Sequence, residues 1–449
     1  VNLFQAAKVR FFGLRLIEKA RIQSVELPYF YDLMLFPEQL IYACFLRLYG
    51  VGIRIAGIFH GKARKWRDGR KEFPQFPNDR PVIWMHCSSL GEFEQGRPVF
   101  EAIRQQYPNH HLVLSFFSPS GYEIRKNYPV ADQVIYLPLD TRQNARRLVQ
   151  TMRPQLVIWV KYEYWYNILA SLKRNGIPTL LISAKFSYNQ PFFKWYGRFW
   201  RTQLNFFNQL FVQDETSLQC LSKLHLKGSI IVAGDTRYDR VLEIRNHVKT
   251  FPEISAFTAN NPVLVAGSTW LEDLKLIQSF HKAFPEFKII LVPHEVDAKA
   301  LDECLQAFPT AILYSQWIKG VGQGLEPQVL VVDRIGMLSN LYAIGTICYV
   351  GGGFNRSGIH NTLEAAVWGK PVFFGPNYKK FLEAVTIVEF GGGFSVSDPE
   401  DWIKVMLEMK KNPLVMERVG KINEQIVRDR AGATQCILDY IAENRLLTR

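Results

Sequence analysis

The sequence predicts an α/β protein made of two doubly wound, parallel-sheet units in tandem. Three observations carry this reading. Short apolar runs alternate with stretches of helical periodicity along most of the chain. A polar break over residues 249–261 divides the alternation into two series. A chain of 449 residues is also long for one hydrophobic core and ample for two.

The first series places strands at 82–87, 112–116, 133–136, 156–160, 179–183, 209–212 and 229–233. The second places them at 262–266, 288–292, 311–314, 329–332, 347–350 and 371–374. Each run is short and apolar, as parallel strands covered by helices on both faces must be. A final helix over 435–447 is placed to cross back to the first unit.

The net charge of +13 is uneven, because residues 1–71 hold 13 Lys/Arg against 5 Asp/Glu. Residues 39–59 are long and apolar enough to span a bilayer, yet Arg47 and Arg54 interrupt them two turns apart and so share a face. An interfacial helix fits better than a clean span. His60, Lys62, Arg64, Lys65, Arg67, Arg70 and Lys71 follow as a basic flank suited to an anionic membrane surface. The charge adjoins an apolar helix and no nucleic-acid motif, so nucleic acid is not an expected partner. Six cysteines are scattered without a Cys-x-x-Cys pair, which suits reduced thiols in cytosol, and the nine histidines form no metal-binding pattern. The expected divisions are 1–71 (extension and membrane-associated helix), 72–250 (first Rossmann-like unit) and 251–449 (second Rossmann-like unit).

Beyond the strand at 82–87, Ser88, Ser89 and Gly91 make a small-residue turn that puts Glu92 in the first turn of a helix. A carboxylate beyond the carboxyl end of a strand is placed to act as a general base. The helix dipole would lower its pKa and burial would raise it, and the sequence leaves the balance open.

Ser-Ser-Leu-Gly-Glu at 88–92, Lys-Tyr-Glu-Tyr-Trp-Tyr-Asn at 161–167, Gly-Asp-Thr-Arg-Tyr-Asp at 234–239, Gly-Ser-Thr at 267–269 and Gly-Ile-His-Asn-Thr-Leu-Glu at 358–364 follow in one order. Together they resemble the 3-deoxy-D-manno-octulosonic acid (Kdo) transferases of lipopolysaccharide synthesis. The resemblance implies the GT-B glycosyltransferase fold, with two Rossmann-like units facing across a cleft. It further implies transfer of Kdo from CMP-Kdo to a lipid A precursor, lipid IVA, with inversion and with no cofactor or metal. The expected location is the cytoplasmic side of the cell inner membrane.

By the same resemblance Glu92 is the base. Glu163 matches the last acidic residue of the family's Glu-Thr-Glu-Leu-Trp pattern, whose first glutamate is replaced here by Lys161. Arg237 stands where many relatives have lysine. On the donor side, Pro293 and His294 look like the Pro-Arg pair that contacts the cytidine nucleotide, with histidine replacing arginine. Ile335, Gly336 and Met337 correspond to a loop around the base, and Asn361, Thr362, Leu363 and Glu364 to a station where Glu364 accepts from the ribose hydroxyls. The glycine turn Gly351-Gly352-Gly353 is expected to let backbone amides approach a phosphate, whereas 320–324 reads as a flexible loop.

The segment 192–201 interleaves aromatics with three cations, which suits either a membrane contact or inward packing. Two other functional readings stand beside the first. One is a GT-B enzyme using a UDP-sugar, and the other a non-catalytic, membrane-bound nucleotide-binding module.

Overall fold

A computed structural model describes residues 37–77, 79–321 and 326–447. The N-terminal residues 1–28 and Gly322, Gln323 and Gly324 of the glycine loop lie outside these. The described residues form two compact units, one containing 37–68 with Leu139–Thr141, the other Gly69–Pro138 and the chain from Arg142 onward.

In the smaller unit, helix Pro37–Phe59 begins with Pro at its first position and Glu38 in its first turn, both favourable at a helix N-terminus. Helix Gly61–Asp68 packs on it through Trp66, edge-on to Tyr49. Arg64 donates to the Gly57 and Ile58 carbonyls at 3.3 and 3.1 Å, satisfying acceptors that the first helix leaves open. Ile41, Phe45, Leu48, Val51, Ile55 and Phe59 recur at helical spacing and are all more than half exposed.

The larger unit holds two seven-stranded sheets. The first comprises β1 (Val82–Cys87), β2 (His111–Phe116), β3 (Gln133–Tyr136), β4 (Pro154–Val160), β5 (Thr179–Ala184), β6 (Gln209–Val212) and β7 (Ser229–Val232), in spatial order 3-2-1-4-5-6-7. The second comprises β8 (Val263–Thr269), β9 (Lys288–Pro293), β10 (Ile312–Leu313), β11 (Val329–Val331), β12 (Ile347–Val350), β13 (Val372–Phe374) and β14 (Gly393–Ser395), in order 10-11-9-8-12-13-14. Every pairing is parallel. The α/β, two-sheet expectation is correct, with β14 an additional strand.

Helix Leu90–Gln106 lies directly over β1 and β4. A Cβ at Gly96 would come within 2.9 Å of Met85 Sδ and Val160 Cγ2, so only glycine allows that approach. The last helix, Ala433–Glu443, returns to the first sheet, where Ile437 and Ile441 share a core with Ile83, Leu112 and Leu180. Asp239 fixes its start by accepting from the Gly432 and Thr434 amides at 2.6 and 2.7 Å.

Candidate active site

Open parallel sheets bind ligands beyond the carboxyl ends of strands where the strand order reverses. In the first sheet that point lies between neighbours β1 and β4, and in the second between β8 and β12. Glu92 follows β1, and Glu163 follows β4.

Ser89 caps helix Leu90–Gln106 with extended backbone, its hydroxyl accepting from the Glu92 amide at 3.5 Å. The Glu92 side chain turns back to accept from the Ser88 amide at 2.5 Å. Burial, then the charge of Glu163, push its pKa up to about 7, against the Ser88 amide, Lys161 and the Ser89 amide contact. Burial thus outweighs the helix start, and the carboxyl titrates near neutrality, where a general base works best.

Burial also raises the Glu163 pKa, opposed by the Ser88 hydroxyl, the Trp165 indole and Arg70. Among the described residues its buried Oε2 has no hydrogen-bond partner. Behind the two carboxyls runs a polar chain unforeseen from sequence. Trp84 Nε1 donates to Ser115 Oγ at 2.8 Å, Ser115 Oγ lies 2.8 Å from His86 Nδ1, and His86 Nε2 lies 3.5 Å from Ser88 Oγ. Complete burial lowers the His86 pKa to about 3, so the ring is neutral. After accepting from Trp84, the Ser115 hydroxyl keeps a proton and a second lone pair, so it can serve Nδ1 in either tautomer of the ring.

Arg237 is engaged rather than open. It donates to Asp235 Oδ2 from Nε and one terminal nitrogen, at 3.0 and 2.7 Å, and grips Glu383 with both terminal nitrogens at 2.7 and 3.1 Å. Arg70, expected in the basic flank, is engaged within the larger unit. It donates to the Leu137 and Phe117 carbonyls, both at 2.7 Å, with its guanidinium over the Phe117 and Tyr136 rings.

On the donor side Glu364 Oε2 accepts from Ser339 at 2.5 Å and Oε1 from Asn361 at 3.2 Å. Burial raises its pKa, and Glu94, on the Glu92 helix, adds to the rise. Leu363 and Thr362 are buried, and Thr362 Oγ1 has no partner among the described residues. Met337 is buried, while Ile335 beside Gly336 projects into solvent.

Pro293 ends β9, and the His294 amide donates to the Thr269 carbonyl at 3.0 Å. The His294 ring stacks on Trp270 at 4.6 Å and on His360 at 4.2 Å, while Trp270 Nε1 donates to His360 Nε2 at 3.1 Å. Burial lowers the pKa of both histidines, that of His360 to about 4, so neither supplies the fixed charge of an arginine. Trp270, which directly follows β8, and His360, ten residues beyond β12, are not among the expected site residues.

The glycine turn departs from expectation. Gly352, in left-handed backbone at φ +90°, donates its amide to Asp273 Oδ2 at 3.0 Å, and the Gly351 amide donates to Gly267. Those amides hold the turn against β8.

The two parallel sheets, with Glu92 and Glu163 after strands of the first and Glu364 after a strand of the second, give the chain a GT-B-type architecture. The fold resembles UDP-GlcNAc 2-epimerase from Neisseria meningitidis bound to UDP-GlcNAc (TM-score 0.58, 14% identity, 81% of this chain and 100% of that one). Another UDP-N-acetylglucosamine 2-epimerase gives a TM-score of 0.56 at 13% identity, over 82% and 97% of the two chains. Residues 64–240 match the family described as 3-Deoxy-D-manno-octulosonic-acid transferase (kdotransferase). The 3-deoxy-D-manno-octulosonic acid transferase of Chlamydia pneumoniae is 27% identical over 374 residues, covering 80% of this chain and 85% of the relative. That of Aquifex aeolicus is 27% identical over 385 residues, covering 79% and 94%. Over residues 64–240 the chain is similar to the Kdo transferase family, and over most of its length to the two Kdo transferases above.

Proposed function

We propose that this protein transfers Kdo from CMP-Kdo to a lipid A precursor, lipid IVA, at the cytoplasmic face of the inner membrane. The observation that carries this reading is the Glu92 carboxyl beside the first-sheet switch point, with a pKa raised to about 7 and Glu163 as its neighbour.

In this mechanism Ser88 holds Glu92 Oε2, and the other oxygen takes the proton of a glucosamine hydroxyl. The hydroxyl oxygen bonds to the anomeric C2 of Kdo as the bond from C2 to the phosphate oxygen breaks. CMP leaves with that electron pair, and one displacement inverts the centre. A phosphate is a weakly basic leaving group, so stabilising its charge matters more than protonating it. Asn361, Thr362 and Glu364 hold the nucleotide, with Pro293, His294 and the loop 335–337 around it. The free lone pairs of Glu364 accept from the ribose hydroxyls. Neutral His294 contributes a ring N–H to the phosphate. No metal or cofactor takes part. The exposed apolar stripe of helix Pro37–Phe59, which is long and apolar enough to cross a bilayer by length and composition, supports a membrane-bound enzyme.

The test supplies purified protein with lipid IVA and either CMP-Kdo or UDP-sugars and weighs the lipid product. A mass gain of one or more Kdo units with CMP-Kdo alone is expected. A product formed only from a UDP-sugar, or none with any donor, overturns the proposal.

A further inference from the structure

Beyond β4, the chain turns through Lys161 in left-handed backbone, φ +63°, a conformation uncommon for a residue with a side chain. Such positions cost free energy and persist where the surrounding structure demands them, often at ligand sites. Lys161 lines a cavity of about 490 Å3 that opens at the carboxyl ends of β4 to β7 and is closed on its far side by residues 380–383 and 429–431.

The charges around this cavity are unequally satisfied. Arg237 is committed to Asp235 and Glu383, and Lys185 pairs with Asp214 at 3.7 Å. Lys161, Lys380 and Arg430 form no ion pair within 4 Å among the described residues. Lys380 and Arg430 are exposed and keep their hydration, but Lys161 is half-buried. Its pKa is lowered first by that burial and then by Arg237, with Asp235, Glu92 and Glu383 opposing. The ammonium lies 5.4 Å from the centroid of the Tyr162 ring, a contact that replaces its lost hydration only in part, so an incoming anion gains more from it than from a surface lysine. Lys161 directly follows β4 and Glu92 follows β1, the adjacent strands at the switch point of the first sheet.

We infer that Lys161 is the inner cation of a subsite for a substrate oxyanion, either the carboxylate of a ulosonic-acid donor or a phosphate of the acceptor. The inference rests on the proposed function for its substrates. A 2-ulosonic acid carries its carboxylate on the very carbon under attack, so a base within reach of the attacking hydroxyl has that carboxylate as a near neighbour. The acceptor brings its own phosphates to the same place. The family pattern has glutamate where this chain has Lys161, so the subsite is a property of this chain.

The test combines kinetics with chemical footprinting on the full-length protein. Lys161→Gln should raise the KM of one substrate by about 10- to 100-fold, the range for losing a hydrogen bond to a charged group, with a smaller change in kcat. Lys161→Arg should restore most of the affinity. Repeating the comparison with a carboxamide analogue of the donor and with a dephosphorylated acceptor identifies the source, because the effect of the substitution vanishes with whichever analogue lacks the bound anion. Acetylation of wild-type Lys161, followed by peptide mass spectrometry, should slow in the presence of donor, acceptor or inorganic phosphate. This readout needs no turnover, so protection by phosphate in a protein that transfers no Kdo sustains the anion subsite while the functional reading falls. Unchanged KM in Lys161→Gln, an equal loss on charged and neutral substrates, or acetylation unaffected by all three anions overturns the inference.

Discussion

Arg237 and Glu383 are joined by a two-pronged ion pair, 2.7 and 3.1 Å, across 146 residues of sequence. Arg237 lies on helix Thr236–Asn246, which follows β7, and Glu383 on helix Leu382–Glu389, which follows β13. Both carboxylates gripping Arg237 raise its pKa, and Glu383 is only 4% exposed. Removing Arg237 strands the buried Glu383, at a cost of about 3–5 kcal/mol, whereas removing Glu383 costs less, because Arg237 is 25% exposed and keeps Asp235. Glu383→Gln should therefore destabilise by roughly 2–3 kcal/mol in urea unfolding. Arg237→Lys should cost stability too, since an ammonium cannot reproduce the fork. In a double-mutant cycle, coupling below about 0.5 kcal/mol would show that the pair carries no load.

Glu92 should trade stability for activity. Its ordinary pKa is 4.5 and its folded value about 7, so the unfolded chain releases this proton first as pH rises. Folding therefore loses stability progressively between about pH 4.5 and 7, and the full penalty applies above 7. Glu92→Gln removes that penalty. The variant should match wild type below pH 4.5 and exceed it by about 1–3 kcal/mol above pH 7. Turnover should fall by about 10²-fold or more, and the wild-type acid limb of kcat/KM near pH 7 should disappear. Near-normal turnover in the variant would remove Glu92 from the base role, and a stability gain independent of pH would show that its ionisation is not the source.

Much of the fold was legible because strands buried on both faces must be apolar throughout. The runs at 82–87, 133–136, 209–212 and 347–350 coincide with the observed strands. β14 was not legible, since Gly393-Phe394-Ser395 is a single aromatic among small residues. Pairing with β13, with Phe394 stacked on Phe373 at 5.2 Å, makes it a strand. Glu92 and Glu163 could be found because each follows a strand in the chain. The polar chain behind them could not, because His86 and Ser115 meet only through the parallel register of β1 with β2. The Gly-Asp-Thr-Arg-Tyr-Asp stretch reads as a site motif, yet Asp235 caps its helix and grips Arg237, Thr236 donates to the Gln95 carbonyl, and Asp239 holds the last helix. The glycine turn misled for a related reason, since the acceptor for Gly352 is Asp273, 79 residues away.

The polar chain behind the carboxyls should be felt in the pH profile. Ser115→Ala leaves Trp84 Nε1 and His86 Nδ1 without their shared partner, two buried groups whose stranding costs about 1–3 kcal/mol each. The expected result is lower stability together with a displaced acid limb in kcat/KM, because Ser88 loses its fixed orientation toward Glu92 and Glu163. Ser115→Thr, which keeps the hydroxyl, should restore the limb. A loss of stability with an unmoved pH profile would confine the chain to a structural role.

Ser339 and Asn361 hold the Glu364 carboxylate, so on the proposed function nucleotide affinity should depend on all three. Glu364→Ala should weaken CMP binding by about 10- to 100-fold, as loss of a charged hydrogen-bond acceptor does. Ser339→Ala should weaken it less, since it frees one carboxylate oxygen to move without removing it. Calorimetric titration with CMP checks both, and unchanged affinity in Glu364→Ala would place the ribose elsewhere.

The N-terminal helix offers a separate test of membrane attachment. Its exposed stripe of Ile41, Phe45, Leu48, Ile55 and Phe59 is apolar, while Lys62, Arg64 and Lys65 follow on the next helix, where each basic residue near an anionic surface contributes about 1 kcal/mol. Deleting residues 1–60 should release the protein from anionic vesicles and depress activity on vesicle-embedded acceptor, with detergent-dispersed acceptor used nearly as well. Leu48→Glu should weaken vesicle binding in the intact chain, because it places a charge in the middle of the stripe. Raising salt should loosen the truncated protein more than the intact one, since apolar burial is not screened and the remaining basic attraction is. Aggregation of the truncated protein with equal loss of activity on both forms of acceptor would mean that the helix supports folding, and the anchoring role would be wrong.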